Sequence, residues 1–557
     1  MSSDIPFLLL YLPSWRLCVQ SCVVLISVKI LSFFFKIYTI RRRFQRMQKD
    51  GLPMPPHHPI LGHLKLIAEI TTNLPPDIHP HILPHQISLL FPDLPPVFYL
   101  DTYPFGPPLL IVASPEAAHQ VTHVHSLPKF HTLKEFMRPM TGGEDLVTME
   151  GSEWKTWRGV FNPGFAGGYL MTLVPGMVRD VGVLCEVLGE EAKKGGVVRL
   201  DEVVMRCGFD VIWRVVVDTN LNSQRTTNPF IKALRSQTRW LSFGNEANLF
   251  ERYHPLRPIM QWWNNRRMHQ YISHELDTRY QTQNPSSKNV NTPRSKSIID
   301  LALTSYTTLH PKSNPSKTID PKFKALAIAQ IRTFLFAGHD TTSSTISYTF
   351  HLLSQHPHTL SLLISEHNNI LGPYHDTKTL SSLLSSNPHI LNELPYTTAI
   401  IKESLRLHPP ASTTRAGLPG ASLSSCGQQL PTDTFLVWIT SYSLHRSPTY
   451  WDSPNQFMPE RWLSPHPVPV KGAFRPFEEG KRNCIGQELA MLEMKVVLVM
   501  VVRGWVVRSV YEEVDGKEGG QEEGKMVAGE RAYQVLRGGA RPRGGMPCRV
   551  EVRGEGV

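Results

Sequence analysis

The sequence predicts a mainly α-helical protein with a small β component, placed behind an N-terminal transmembrane helix. Three observations support this fold class. Residues 321–355 form the longest stretch with apolar residues at helical spacing, and most of 201–281 follows the same pattern. Residues 17–40 are mostly apolar and about long enough to cross the hydrocarbon core of a bilayer. The predicted strands, by contrast, are few and short.

Composition bounds the class of protein. The 557 residues are 41% hydrophobic and 19% charged, which is ordinary for a globular chain. The net charge of +11 suits an acidic partner or an anionic membrane, and a solvated basic surface explains it equally well. Nucleic acid is not expected, because the sequence has no zinc spacing, RNA-binding signature or basic helix with heptads. The cysteines, odd in number and irregularly spaced, predict no disulfide framework and favour a reducing compartment: Cys18, Cys22, Cys185, Cys207, Cys426, Cys484 and Cys548.

The N-terminus is predicted to set the location. Residues 1–16 form a short leading segment and 17–40 the anchor, in which Lys29 and Lys36 would have to reach an interface. The apolar run 5–12 leaves an earlier start or a re-entrant course open. A cleaved signal peptide is disfavoured, because the first fifteen residues contain no Lys or Arg and no small-residue cleavage site follows. By the positive-inside rule, the basic residues after the run hold the body in the cytoplasm: Arg41, Arg42, Arg43, Arg46 and Lys49.

Short elements and loops follow the anchor. Residues 41–62 are predicted to be a basic, proline-rich hinge, stiff and extended rather than helical where the prolines cluster. Val97–Leu100 and Leu109–Val112 predict a pair of strands in a hairpin, and 547–552 predicts a closing strand. The polar stretches 281–297 and 512–530 are predicted to be loops.

Two helical positions could hold a carboxylate. Trp154 and Arg158 lie four residues apart on one helix face, where the indole N–H and the guanidinium can both donate. As an isolated pattern this pair favours a packed tryptophan instead.

The centre of the 321–355 helix is unusual. The run Ala337-Gly338-His339-Asp340-Thr341-Thr342 combines glycine with hydroxyl side chains that can bond back to carbonyls. A helix that gives up stability at its centre indicates a site, although a kinked packing helix is the alternative. His339 is expected to be packed or solvated rather than a ligand.

A cysteine stands at the start of another predicted helix. The loop 474–486 presents Cys484 directly before the helical pattern of 487–498. Unsatisfied N–H groups and the positive end of a helix dipole there favour a thiolate. A single thiolate can ligate a haem iron. For an isolated cysteine, a buried structural role would be favoured.

The surroundings of Cys484 resemble the haem-thiolate cytochrome P-450 family, because Phe477, Gly480, Arg482 and Gly486 complete F-x-x-G-x-R-x-C-x-G with it. Five motifs of that family occur in order between about residue 53 and the C-terminal end. They are W-x-x-x-R at Trp154 and Arg158, A-G-x-D-T-T at 337–342, E-x-x-R at Glu403 and Arg406, P-E-R-W at 459–462, and the Cys loop. The tryptophan of P-E-R-W replaces the usual phenylalanine.

The resemblance implies a role for each motif. Cys484 would be the axial ligand of haem b, and Gly480 and Gly486 would permit the turn and the close approach to the porphyrin. Ala337 and Gly338 would leave room for dioxygen, Thr341 would hydrogen-bond it, and Asp340 would relay protons. Four residues would hold the haem propionates: Arg482, Trp154, Arg158 and Arg415. Three others would form a structural triad that supports the Cys loop: Glu403, Arg406 and Arg461.

The resemblance also implies an activity and partners. Residues 63–557 would form one catalytic domain of the cytochrome P-450 fold, a monooxygenase that hydroxylates or epoxidises a lipophilic substrate. The electrons of NADPH would arrive through NADPH–cytochrome P-450 reductase, with cytochrome b5 a second candidate donor, at the endoplasmic reticulum membrane. The motif details look most like fungal members of secondary-metabolite pathways. A haem-thiolate isomerase or dehydratase that needs no dioxygen, and a haem sensor, are alternatives that the retained Asp340 and Thr341 disfavour.

Overall fold

The computed structural model describes residues 15–241, 254–282, 297–309, 319–373, 376–463, 469–517 and 526–554. Most of the predicted loop 281–297 lies outside the described residues. The N-terminal half contains these helices: α1 (Trp15–Lys49), α2 (Leu64–Thr72), α3 (Leu83–Leu90), α4 (Pro115–His119), α5 (His131–Thr141), α6 (Gly151–Phe161), α7 (Gly167–Lys194), α8 (Leu200–Val217), α9 (Pro229–Trp240) and α10 (Leu256–Thr282). The C-terminal half contains these: α11 (Ile298–Leu309), α12 (Pro321–Gln355), α13 (Pro357–Leu371), α14 (Thr377–Ser386), α15 (Pro395–Leu407), α16 (Ser441–His445), α17 (Gln487–Val501) and α18 (Tyr511–Lys517).

The strands form small sheets, as predicted. They are β1 (Val97–Leu100), β2 (Leu109–Val112), β3 (Val198–Arg199), β4 (Thr413–Ala416), β5 (Ser422–Ser425), β6 (Gln428–Pro431), β7 (Leu436–Ile439), β8 (Trp505–Ser509), β9 (Gln534–Arg537), β10 (Gly539–Pro542) and β11 (Pro547–Val552). The largest sheet has the order β1-β2-β7-β4, in which β2 and β7 are parallel and the other pairs antiparallel. A three-stranded sheet has the order β3-β11-β8, and β5-β6 and β9-β10 are hairpins.

The largest sheet separates two minor cores, and alternation along its strands explains this. Tyr99 and Leu110 face one core together with Phe44 of α1. Phe98 and Ile111 face the other, next to α2 and α3. The main core lies among the helices and packs around α8, α12 and α17.

The predicted helix at 321–355 is confirmed at both ends, since α12 spans the same residues. Its N-cap Asp320 accepts from Phe323 N at 2.9 Å, and Pro321 occupies the first turn. The hydroxyl bonds expected at its centre are also present. Thr341, Thr345 and Thr349 each donate to the carbonyl four residues earlier, at 2.8–3.0 Å.

The N-terminal helix is longer than the predicted anchor. Within the described part of the chain, one helix is apolar and long enough to cross a membrane, with a mean hydropathy of 2.1 in its most apolar window, and none of that window is buried. The helix continues past residue 40, the predicted end of the anchor, to Lys49, and the proline cluster that follows is not helical. Phe44 and Met47 are buried against the domain there. The basic segment is helical because its apolar residues have a core to pack against.

Arg41 has a structural role in addition to its predicted topological one. Its guanidinium is buried and forms an ion pair with Asp101. His57, in the proline-rich stretch, contacts the same carboxylate at 2.9 Å and stacks on Phe44. The stretch 51–62 therefore packs on the domain rather than forming a free connector.

One predicted loop contains a helix. Residues 512–517 of the stretch 512–530 belong to α18, and 518–525 lie outside the described residues. Glu513 of α18 pairs with Arg549 of β11 at 2.5 Å. Tertiary contacts of this kind can override a weak local helix propensity. The closing strand predicted at 547–552 is confirmed as β11.

Candidate functional site

The loop at 474–486 closes on itself and presents one thiol. Cys484 N donates to Phe477 O at 2.9 Å, and Asn483 N donates to Gly480 O at 3.1 Å. Gly480 has φ +82°, and a Cβ there would lie 2.8 Å from Thr122 O, so a side chain does not fit. Gly486 has an ordinary φ of −88° directly before α17, and an added Cβ would lie 3.9 Å from the Cys484 sulfur.

Cys484 opens into a cavity of about 280 Å³ between α12 and α17. Ala337, Gly338 and Thr341 line it from α12, and Ala490 and Glu493 line it from α17. Most of the other lining side chains are apolar, among them Phe165, Ile212, Phe334, Leu405, Phe477, Ile485, Leu489 and Met494. The structure thus brings the cysteine and the threonine predicted from separate motifs into one chamber.

Cys484 is exposed to the cavity, but desolvation by the surrounding protein opposes the thiolate that the sequence predicts. It raises the pKa of the Cys484 thiol, and this effect exceeds the opposing ones of the Gly486 N–H and the positive charge of Arg158. The prediction from the helix dipole was therefore incomplete, because it ignored desolvation of the sulfur. A metal cation held by the Cys484 sulfur would supply the missing positive charge and favour the thiolate.

A group of cations lies beside the cavity. Arg482 lines it, with its guanidinium 4.5 Å from the Trp154 ring and one nitrogen 2.8 Å from Met149 O. Arg482 also pairs with Glu150 at 3.3 Å. Burial lowers the pKa of Arg482 to about 10.

Arg415 belongs to the same group, on β4. Only 2% of this residue is exposed, and its guanidinium bonds to Thr413 Oγ1 at 3.2 Å and Thr414 O at 3.3 Å. It has no ion pair among the described residues. Lys129, which the sequence did not single out, reaches Thr413 Oγ1 at 3.5 Å. Burial first, and then Arg415 and Arg482, hold the pKa of Lys129 well below its usual value. Three crowded cations with too few acids favour a ligand that carries carboxylates.

Two other predicted propionate contacts have different partners. Arg158 donates to Asn483 O at 2.9 Å and Asn483 Oδ1 at 3.0 Å, so it braces the residue before the cysteine. Trp154 packs on Arg482. Neither side chain lines the cavity. Direct carboxylate binding by these two residues stays a prediction.

The neighbours Asp340 and Thr341 lie on different faces of α12. Thr341 faces the cavity and donates to Ala337 O at 3.0 Å. Asp340 is buried on the other side, where it pairs with Arg541 at 2.7 Å and accepts from Gly539 N at 2.7 Å. His339 stacks on Phe209 at 3.8 Å, and burial lowers its pKa to about 4.

Gly338 has a packing role besides the one that the resemblance implies. A Cβ at this position would lie 2.7 Å from Ile212 Cγ1 on α8. The glycine therefore allows α8 and α12 to approach closely. It also leaves more space in the cavity, because it has no side chain there.

The predicted triad forms around a single carboxylate. Glu403 accepts from Arg406 at 2.7 and 3.0 Å and from Arg461 at 3.0 Å. The unusual Trp462 donates its indole N–H to Glu403 at 2.9 Å, a bond that phenylalanine cannot make. Arg406 also binds the carbonyls of His445, Pro454 and Gln456 at 2.6–2.9 Å, which ties the chain before the Cys loop to α15.

Two further groups at the cavity were not predicted. Arg475 is buried and pairs with Glu478 and Glu479 within the Cys loop. Glu493, on α17, has no hydrogen-bond partner among the described residues, and burial raises its pKa to about 8. Its only signal in the sequence is a charged residue in an otherwise apolar helix face.

Comparison with known proteins identifies the family. The family model described as Cytochrome P450 matches residues 52–533. The chain belongs to the cytochrome P450 family. The matched range starts within the proline-rich stretch, which agrees with the packing of that stretch on the domain.

Curated relatives cover nearly the whole chain. The cytochrome P450 monooxygenase polC of Polytolypa hystricis is 40% identical over 95% of this chain and 94% of its own length. The monooxygenase acrF of Aspergillus aculeatus is 32% identical over 86% of this chain and 99% of its own. Among solved structures, the heme domain of cytochrome P450DA superposes with a TM-score of 0.67 at 20% identity, covering 90% of this chain and 98% of that one.

This cytochrome P450 is therefore an oxidoreductase, a monooxygenase of a family whose cofactor is haem. The residues present fit that cofactor. The raised pKa of Cys484 calls for a cation at the sulfur, and the buried Arg415 guanidinium lacks an acidic partner. Haem provides both, an iron for the thiol and two propionates for the cations.

Proposed function

We propose that this cytochrome P450 hydroxylates or epoxidises a lipophilic organic molecule, using dioxygen and electrons that originate from NADPH. One observation carries the proposal: Cys484 and Thr341 share a cavity whose other walls are mostly apolar. In the overall reaction one oxygen atom of dioxygen enters the substrate. The other leaves as water, with two electrons and two protons consumed.

Different residues of the chain have different roles in this reaction. Cys484 would hold the iron, and Arg482, Arg415 and Lys129 would hold the propionates. Haem, when bound, supplies the iron at which dioxygen is reduced, and thiolate donation favours O–O cleavage. The apolar walls orient the substrate by shape and exclude water. Three hydroxyls line the cavity from α12, those of Thr341, Thr342 and Thr345, and the Thr341 hydroxyl, which donates to Ala337 O, would be the proton donor of the reaction.

Asp340 would deliver protons from the other side of α12. It lies next to a second cavity and away from Cys484. Since Asp340 is held by Arg541 and Gly539, a proton transfer at its carboxylate requires this ion pair to loosen. The pair would then control how fast protons reach the site.

The apolar helix α1 supports membrane attachment, and we infer that the protein resides in the endoplasmic reticulum membrane with its catalytic domain in the cytoplasm. There NADPH–cytochrome P450 reductase would supply the electrons, with cytochrome b5 as a second donor. The basic balance of the chain suits an acidic reductase surface. The fungal relatives support a place in fungal secondary metabolism.

The first test is spectroscopic and chemical. The reduced, CO-bound protein should show the red-shifted Soret band of thiolate ligation, and an unshifted band in folded protein would overturn the assignment of Cys484. With reductase, NADPH and a panel of lipophilic metabolites, products should gain one oxygen atom. Product formed without dioxygen or NADPH would instead establish the isomerase or dehydratase alternative.

Thr341→Ala tests the oxygen side of the cavity. We expect this variant to keep haem and divert NADPH electrons to hydrogen peroxide, because the donor hydroxyl is lost. Thr345→Ala is the matched control, since Thr345 lines the same cavity and makes the same type of bond to the carbonyl four residues earlier. Full coupling of electrons to product in Thr341→Ala would remove Thr341 from the mechanism.

A further inference from the structure

A second cavity, of about 560 Å³, lies against α12. His339 and Asp340 line it, whereas Gly338 and Thr341 line the cavity of Cys484. The helix thus separates a largely apolar chamber from a second one of different chemistry. The tip of the β9-β10 hairpin, fixed by the bond from Gly539 N to Asp340, forms part of the second wall.

Five arginines line this second cavity, and two of them are already neutralised. Arg541 lies between Asp340, at 2.7 Å, and Asp201, at 3.7 Å. Arg235 pairs with Glu202 at 3.0 Å. The fourth acid of the lining, Asp77, accepts from Tyr533 at 2.9 Å.

The side chains of the other three arginines have neither an ion pair nor a hydrogen bond within the described part of the chain. They are Arg199 of β3, Arg239 in the last turn of α9 and Arg537 at the end of β9. Three separate elements therefore direct a cation to one cavity. Four acids line the cavity against five arginines, and buried Asp201 interacts electrostatically with Arg537 as well as with Arg541. The buried pair Arg406 and Arg461 shares the carboxylate of Glu403, whereas these three arginines are exposed and share none.

Apart from Thr238 and His339, the rest of the lining is apolar or glycine. Phe136, Met205 and Leu536 contribute side chains, together with Ile78 and Leu241. Such a cavity suits a molecule with an apolar body and an anionic end. Its volume lies within the range of small-molecule sites, roughly 300–1,000 Å³.

We infer that this arginine-lined cavity binds a lipophilic carboxylic acid, whose carboxylate is held by Arg239, Arg537 and Arg199. The planar fork of a guanidinium matches a carboxylate with two parallel hydrogen bonds. This inference does not depend on the monooxygenase reaction, since binding can be measured without turnover. The acid is either the substrate itself or a separate ligand.

The test uses the full-length holoenzyme in nanodiscs of neutral lipid. Isothermal titration calorimetry compares 4-phenylbutyrate with 4-phenylbutanamide, its uncharged match. The acid should bind about tenfold more tightly, a ratio that corresponds to about 1.4 kcal/mol. The preference should weaken with added salt. Equal affinity for the two compounds would overturn the inference.

The double variant Arg239→Gln with Arg537→Gln should abolish the preference. Both side chains are exposed, so their replacement leaves the core intact. Arg266→Gln is the matched control, an exposed arginine on α10 outside the cavity lining. Retention of the preference in the double variant would also overturn the inference. Acetate should compete at least about tenfold more weakly than 4-phenylbutyrate. Equal competition would refute the claim that the cavity prefers a carboxylic acid with an apolar body.

The haem absorbance of the same samples distinguishes the two sources of the acid. A spin-state shift on binding of 4-phenylbutyrate shows that the acid reaches the Cys484 cavity, as a substrate does. Calorimetric binding without such a shift identifies a separate ligand. A spin-state shift that persists unchanged in the double variant Arg239→Gln with Arg537→Gln would place the acid in the Cys484 cavity and overturn the inference, whereas a failure of turnover assays would leave it unaffected.

Discussion

Two groups of buried cations near the Cys loop differ in how their charge is satisfied. Glu403 accepts five hydrogen bonds, from Arg406, Arg461, Trp462 and the backbone of Met458. At the cavity, Arg415 has no acidic partner. A saturated network stabilises the fold, whereas a cation left unsatisfied in the protein indicates a ligand. The missing acid is informative for Arg415 because this residue lies in one group with Arg482, which lines the cavity of Cys484.

The largest effect should follow from breaking the saturated network. Glu403→Ala leaves Arg406 and Arg461 buried without their carboxylate. Breaking a buried pair costs about 3–5 kcal/mol, a large part of the total stability of a domain. We expect little folded protein, measured as soluble yield and as the CO-bound Soret band. A variant that unfolds within a few degrees of the wild type would contradict the structural role of this carboxylate.

A smaller and opposite effect is expected for the unsatisfied group. Arg415→Met removes a buried cation without an acid, so the apoprotein should unfold at the same temperature as the wild type or higher. The holoprotein should lose haem to excess apomyoglobin about tenfold faster. Arg475→Met is the control, because it strips Glu478 and Glu479 of their partner and should destabilise the apoprotein. Destabilised apoprotein in Arg415→Met would show that Arg415 is structural as well.

Glu493 extends the comparison to a buried acid without a partner. Its pKa rises on folding from 4.5 to about 8, so the folded state holds the proton more tightly. The contribution of Glu493 to stability therefore falls as pH rises between these values. Glu493→Gln should melt near the wild-type temperature at pH 4.5 and several degrees higher near pH 8. Parallel melting curves at all pH values would refute the raised pKa.

The smallest effect should come from Trp462→Phe. Glu403 keeps four of its five donors in this variant, and both arginines stay paired. The loss should be about 1 kcal/mol, typical of one hydrogen bond. The denaturant midpoint measures it. A loss as large as that of Glu403→Ala would mean that the indole has a greater role than one donor among five.

Local patterns predicted much of the fold and part of the site. The bounds of α12 and of β1 and β2 follow from periodicity and from Pro and Gly signals, which are local. Cys484, Thr341 and the triad came from motifs, since their spacing along the chain identifies them.

What the sequence missed depends on contacts between distant segments. Lys129 joins Arg415 and Arg482 only through folding. Arg158 binds Asn483, 325 residues away, and Asp340 turns to Arg541. The raised pKa of Cys484 comes from burial, which a local dipole argument does not contain. The continuation of α1 to Lys49 likewise depends on the core that receives Phe44.

That continuation determines where the chain can be shortened. A soluble version that starts at residue 50 would lose Arg41, Phe44 and Met47 together. Asp101 would remain buried without its arginine, and the sheet face next to Tyr99 would be exposed. A start just before residue 41 keeps these contacts and removes the exposed apolar turns. If α1 spans a bilayer as proposed, the continuous helix would couple its tilt to the domain and so set the angle at which the domain meets the membrane surface.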